Sequence, residues 1–137
     1  MRRRRGANAI EFALVSPLFV FVVAAIFEYS WLFYMRAAVL EAARSGCRDG
    51  AVVPLTEDPQ SSATLSILAQ LSERSFFGID CEDPEDPRCL VLVDTSGDPP
   101  TQLITCTVQL SYPGLTGVLP VPPLVEAHAI SLFELQR

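Results

Sequence analysis

The segment DCEDPEDPRC crowds Asp80, Glu82, Asp83, Glu85 and Asp86 into one short stretch. Carboxylate oxygens at this density are the hard ligands that calcium takes. The spacing lacks the central glycine and terminal glutamate of an EF-hand, so a solvated acidic loop is the simpler expectation and calcium the alternative. Cys81 and Cys89 bracket this loop, and Cys47 and Cys106 complete a set of four cysteines. Four cysteines permit three pairings. The step from Cys81 to Cys89 contains two prolines and suits closure of the acidic loop. The remaining pair would then be Cys47 with Cys106, although the other two connectivities stay open. No CxxC or Cys/His spacing of a zinc site occurs. His128 is the single histidine and falls on the polar side of a strand pattern, where a surface role is simplest. With no Ser/His/Asp arrangement, no glycine-rich phosphate loop and no H-E-x-x-H, neither catalysis nor a cofactor is expected.

Two further carboxylates interrupt or border a long apolar run. Glu11 stands at its mouth, in RRRRGANAIEF, and Glu28 near its far end. An acid in such a place is costly to bury without a partner. Glu28 is expected to reach the lipid headgroups, the alternative being a polar contact between neighbouring helices.

The elements that carry these residues can be read from periodicity. Phe12 to Phe27 is apolar apart from Ser16 and Pro17, and as a helix it rises about 24 Å, slightly short of a membrane span. Glu28 to Arg36 extends it, with Tyr29, Trp31 and Tyr34 as the aromatics of a membrane boundary. Pro17 removes one backbone donor and is a candidate kink. The alanine-rich RAAVLEAARSGCRDG continues the helix, with Glu41 and Arg44 three apart on one face. Its end is expected between Gly46 and Gly50, in a left-handed closing conformation, giving a helix of roughly 35 to 40 residues and about 55 Å. A second helix is predicted with Asp58 as cap, Pro59 in the first turn and a Leu65, Leu68, Leu71 stripe, ending near Gly78.

Three strands complete the chain: Cys89 to Asp94, Leu103 to Tyr112 and Leu124 to Leu135. In the second, Ile104, Cys106, Val108, Leu110 and Tyr112 share one face. In the third, Val125, Ala127, Ala129, Phe133 and Leu135 form the apolar side. Alternation of this kind marks half-buried antiparallel strands. The expected fold is α+β, a small three-stranded antiparallel sheet packed on the exposed half of a long helix. The expected organisation is a basic leader over 1–6, the long helix over 7–50 and a small domain over 51–137.

The formal charge is −6, or −10 once the four N-terminal arginines are set aside, and the chain contains no lysine. That balance excludes the basic footprint of a nucleic-acid-binding surface. Arginines before a first span hold the N-terminus on the cytoplasmic side, so the rest is expected outside the cytoplasm, where disulfides persist.

Basic tail, glycine, four residues, glutamate, phenylalanine, apolar helix: this order resembles the type IV pilin-like leader, and more closely the TadE-like proteins of the tight-adherence (Tad/Flp) pilus system. Gly6, Glu11 and Phe12, Pro17 and Leu18, Glu28 and Tyr29, and AARSGCR from Ala42 to Arg48 carry the resemblance, which is strong over residues 3–48. Ser30 departs from the glycine that often follows the second glutamate and aromatic in that family. The resemblance implies a cut by a membrane-embedded prepilin peptidase between Gly6 and Ala7, with Glu11 at the fifth position of the mature chain. It also implies partners among pilin-like subunits, inner-membrane pilus assembly proteins and membrane lipid, and a single-pass location in the bacterial inner membrane with the C-terminal domain periplasmic or extracellular. Cleavage would leave a cationic amine on Ala7, one helical turn from Glu11, and a buried carboxylate becomes tolerable when so paired. Glu11, Phe12 and Glu28 are therefore the expected assembly residues. The competing reading is an ordinary secretory signal, with VAA at Val23 to Ala25 as the cleavage site.

Overall fold

The computed structural model describes residues 4–54, 57–74, 79–81, 83, 86–97, 102–117 and 119–132, the side chains of 4–8 excepted. The architecture is α+β in two layers. Helix α1 (Arg4–Ala51) is followed by helix α2 (Pro59–Ser72) and by strands β1 (Cys89–Ser96), β2 (Leu103–Ser111) and β3 (Leu124–Leu132). The sheet runs β1-β2-β3, antiparallel throughout. Helix α1 lies across β2 and β3, while α2 packs on α1 and reaches β1.

The alternation read in the strands is what the sheet buries. Ile104, Cys106, Val108, Leu110 and Tyr112 are all buried, and Val125, Ala127 and Ala129 join them from β3. Register places Val108 between Val91 and Ala127, and Cys106 between Val93 and Ala129. Strand β1 runs two residues past its expected end, to Ser96. The expected apolar positions Phe133 and Leu135 lie outside the described residues.

Helix α1 is longer than periodicity predicts, 48 residues, and passes through Pro17 without ending. Its two parts differ in what they face. From Ile10 to Phe27 every large apolar side chain except the half-buried Val23 is exposed, whereas Leu32, Met35, Val39, Ala42, Ala43 and Cys47 are buried in the domain core. The buried positions step by threes and fours, the stripe of an amphipathic helix. The core is thus not built by the chain after the helix alone; the helix supplies one wall of it.

Gly46 and Gly50 do not end α1. They lie inside it and are buried, because α2 crosses them at close range. A Cβ on Gly46 would come within 2.2 Å of Ile67 Cγ1, and one on Gly50 within 2.7 Å of the Ala63 Cβ and 2.8 Å of the Pro59 carbonyl oxygen. The same contact corrects the second helix. Its buried row is Ala63, Ile67 and Leu71, while Leu65 is 67% exposed. Of the expected leucines Leu71 is buried, while Leu65 projects away because the flat glycine surface of α1 is met by the row four residues apart. Helix α2 also stops at Ser72, and the expected end at Gly78 lies outside the described residues. Its start agrees with expectation: Asp58 accepts from the N–H groups of Gln60 and Ser61 at 3.4 and 3.1 Å, with Pro59 next. Glu41 pairs across the helices with Arg74 at 2.8 Å, a longer-range partner than the Arg44 that helical spacing offered.

Both disulfides join the expected pairs, the one across the acidic loop and the one that remains. Cys47 on α1 is bonded to Cys106 on β2 with Cα atoms 5.7 Å apart, and Cys81 to Cys89 with Cα atoms 5.2 Å apart. The first closes a chain separation of 59 residues, worth about 4 kcal/mol of unfolded-state entropy.

Helix propensity alone ranks Ala about 1 kcal/mol above Gly inside a helix. Contact geometry reverses that at Gly46: Gly46→Ala is expected to destabilise the protein by about 1–3 kcal/mol through overpacking against Ile67. Denaturant unfolding of Gly46→Ala beside wild type, both with intact disulfides, checks this, and increased stability would refute the packing role.

Candidate functional site

Two regions of α1 carry the candidate groups. The first is its N-terminal half, an apolar helix long enough to cross a membrane by length and composition. Glu11 and Phe12 are both exposed on it, Phe12 at 72%. Gly6 and Ala7 lie within the helical backbone, their side chains outside the described residues, and Arg2 and Arg3 lie outside altogether.

The second region centres on Glu28, the first buried residue of α1 among the described side chains and a member of the stripe that continues through Leu32 and Met35. Its carboxylate neither opens to the headgroup layer nor waits for another helix. The connection from β2 to β3 folds back over it and fills its acceptor positions. Oε1 accepts from the Tyr112 hydroxyl at 2.9 Å and the Leu115 N–H at 2.7 Å, and Oε2 from the Thr116 N–H at 2.8 Å and hydroxyl at 2.9 Å. A carboxylate held by consecutive backbone N–H groups and hydroxyls can remain buried without a cation, since each lone-pair direction is occupied. Gly114 makes the approach possible. It has φ +79°, and a Cβ there would stand 3.2 Å from Glu28 Oε1. Below the carboxylate, the loop is fastened again where the Tyr29 hydroxyl donates to the Pro120 carbonyl at 3.4 Å.

Tyr112 ends the buried face of β2 and is 1% exposed. Burial, followed by its hydrogen bond to Glu28 and the charge there, pushes its phenol up to about 12. Sequence reasoning places Tyr112 on the buried face of β2 without linking it to Glu28, and it does not single out Gly114, Leu115 or Thr116. The available signal is YPGLTG itself, two glycines three apart in a stretch free of charge, together with an acid in an apolar helix that has no cation within one turn.

The acidic loop is organised around Arg88. Asp86 receives its Nε and Nη2 at 2.9 and 2.7 Å and its backbone N–H at 3.0 Å. These hydrogen bonds hold the Asp86 carboxyl well below the usual carboxylate range. Asp80 donates its backbone N–H to the same carboxylate at 3.4 Å. Glu82 and Glu85 lie outside the described residues. Among the described residues no group of three or more His, Cys, Asp or Glu side chains is placed to hold a metal ion. His128 stands on the outer face of β3, with Nδ1 at 3.0 Å from Thr107 Oγ1 and Nε2 at 3.2 Å from Glu126.

Residues 6–48 match the family described as TadE-like protein. The match covers 43 of the 137 residues. It includes Gly6, Glu11, Glu28 and Cys47, and stops short of the loop that holds Glu28. Comparison with curated proteins and with solved structures returned no match.

The Glu28 cradle makes two predictions. Gly114→Ala should destabilise by about 1–2 kcal/mol from the left-handed backbone alone, and by more than Gly117→Ala, where φ is +65° but nothing lies within 4 Å. Equal costs in denaturant unfolding would show that the approach to Glu28 does not matter. The raised Tyr112 value also has a sign. The neutral phenol's contribution to stability is complete below pH 10.0 and is lost as pH rises through about 12. Phenolate absorbance should show a transition near pH 12 that Tyr112→Phe removes, and its absence from the wild-type protein would contradict the cradle.

Proposed function

We propose that this chain is a minor pilin or pseudopilin of a tight-adherence (Tad/Flp) pilus or a related secretion machine, matured by prepilin peptidase and assembled through its N-terminal helix. The observation that carries the proposal is the TadE-like match over residues 6–48 falling on a helix whose first half is apolar and exposed while its second half is core. Such a helix needs an apolar surrounding for its N-terminal part, first lipid and then the same part of neighbouring subunits. The role is structural and requires no enzymatic chemistry.

The order of events is set by charge. Arg2 to Arg5 hold the uncleaved N-terminus in the cytoplasmic headgroup layer, with the domain carried by β1 to β3 on the periplasmic or extracellular side. Cleavage between Gly6 and Ala7 removes the four arginines together with the Met1 amine and creates one new positive charge, the amine of Ala7. That amine sits a helical turn from Glu11 and can neutralise it in the same chain or in a neighbour. A paired carboxylate in an apolar bundle is tolerated, and an unpaired one is not, by roughly 3–5 kcal/mol. Glu11 thereby sets the axial register of packed helices. Glu28 works differently: its acceptor positions are taken by its own chain, so it positions the domain on the helix and leaves helix-to-helix register to Glu11.

The second reading, a secretory signal cut after Ala25, would begin the mature chain at Ile26, just before the buried stripe starts at Glu28. It leaves the Gly6 to Glu11 pattern without a purpose.

The mature N-terminus decides between them. Mass spectrometry of protein from a host that contains the peptidase should find Ala7 first; Ile26 would support the secreted form, and Met1 a plain anchor. Glu11→Ala is expected to be cleaved as wild type and to fail in assembly with partner subunits, and normal piliation by that variant would remove the register role.

A further inference from the structure

Residues 112–123 connect β2 to β3, and the described part of this connection does not project from the domain. It returns along α1 toward the N-terminus. Thr116 and Leu119 line one groove with Ser16, Pro17, Val20 and Ala24, all within the apolar half of the helix. Val20 precedes Glu28 by eight residues, about 12 Å of helical rise, comparable to one leaflet of a hydrocarbon core about 30 Å thick. With α1 crossing the membrane, as the proposed function requires, this connection lies beside it at the depth of the outer leaflet.

The chemistry of the connection suits that depth. No charged residue occurs from Pro99 to Val125, in a chain whose domain is otherwise acidic. Irregular backbone in lipid is costly because its N–H groups lose water. Here Pro113, Pro120, Pro122 and Pro123 have no N–H to lose, and the N–H groups of Leu115 and Thr116 are given to Glu28. The carbonyl of Pro120 accepts from Tyr29 and that of Pro123 from the Tyr112 N–H at 2.8 Å. Leu115 is nonetheless 46% exposed at the tip, on a segment with little else to offer water.

We infer that the β2–β3 connection is a membrane-inserted loop: it enters the outer leaflet beside α1, with Leu115 and Leu119 in the acyl region and Glu28 as the internal acceptor that lets its backbone go there. The loop then acts as a second foot for the domain. The helix alone leaves the domain free to rotate about the helix axis and to slide along it; a loop seated in lipid on one side fixes both depth and facing. The occupant of the groove around Leu119 and Val20 is thus phospholipid acyl chain.

The test uses the full chain with Trp31→Phe, carrying one new tryptophan, in vesicles of phosphatidylcholine and phosphatidylglycerol whose phosphatidylcholine is either ordinary or brominated in its acyl chains. Leu115→Trp probes the loop, Phe21→Trp the helix and Leu90→Trp the outer face of the sheet. Leu119→Trp serves the same comparison should Leu115→Trp not fold. The loop and helix probes are expected to lose most of their emission to brominated lipid, and the sheet probe none. Quenching at Phe21→Trp without quenching at the loop overturns the inserted loop and leaves the spanning helix standing. A loop probe with blue-shifted emission that brominated lipid does not touch indicates burial against a second copy, and also overturns it. Absence of quenching at Phe21→Trp overturns the spanning helix itself, and the inserted loop with it.

Discussion

The structure turns on a carboxylate without a counter-ion. Glu28 stands where α1 changes from a rod with exposed apolar sides to a wall of the domain core, and an ionised acid in that position is stable only if its oxygens are filled. The chain fills them with two backbone N–H groups and two hydroxyls from a single connection between strands. The requirement runs both ways. The connection has positive φ at Gly114 and Gly117 and turns the N–H groups of Leu115 and Thr116 toward the anion. Helix and loop therefore specify one another at that point, and Tyr112, at the end of β2, carries the specification into the sheet.

From there the rest of the domain is positioned by close approach. Small residues on α1 allow α2 to cross at a distance that no side chain at Gly46 or Gly50 would permit, and the Cys47 to Cys106 bond fixes the other side of the same helix turn to the central strand. The far half of α1 is thus gripped on two faces, by a helix and by a sheet. Its near half is gripped by neither, which leaves a continuous apolar surface for lipid or for other subunits. A rigid mount on one half and an open surface on the other suit the assembling subunit proposed above, because force or register imposed on the N-terminal half would reach the domain through an unbroken helix.

The segment that matches the TadE-like family ends within this gripped part of α1 and carries Glu28 but none of its donors. The acid inside the matched segment is satisfied by residues 84 to 88 positions later in the chain. The downstream domain is therefore more than cargo on a shared anchor, since it completes the hydrogen bonding of a group that belongs to the anchor.

Strand alternation in β2, the Asp58 cap, the apolar half of α1 and the α+β class were legible in the sequence, because each depends on residues one to four apart whose spacing repeats. The order of arginines, Gly6 and Glu11 before the apolar run was legible for the same reason, and so was the family it resembles. What local spacing could not decide was anything set by a partner far along the chain. Gly46 and Gly50 look like a helix end until α2 is laid across them, Leu65 looks like core until the flat face beneath it selects Ala63 and Ile67, and Glu41 looks paired with Arg44 until Arg74 arrives. Glu28 is the clearest case. Its residue type showed that burial would need compensation, and only the tertiary fold, by returning a strand connection along the helix, decided that the compensation would be four hydrogen-bond donors of the same chain and no cation.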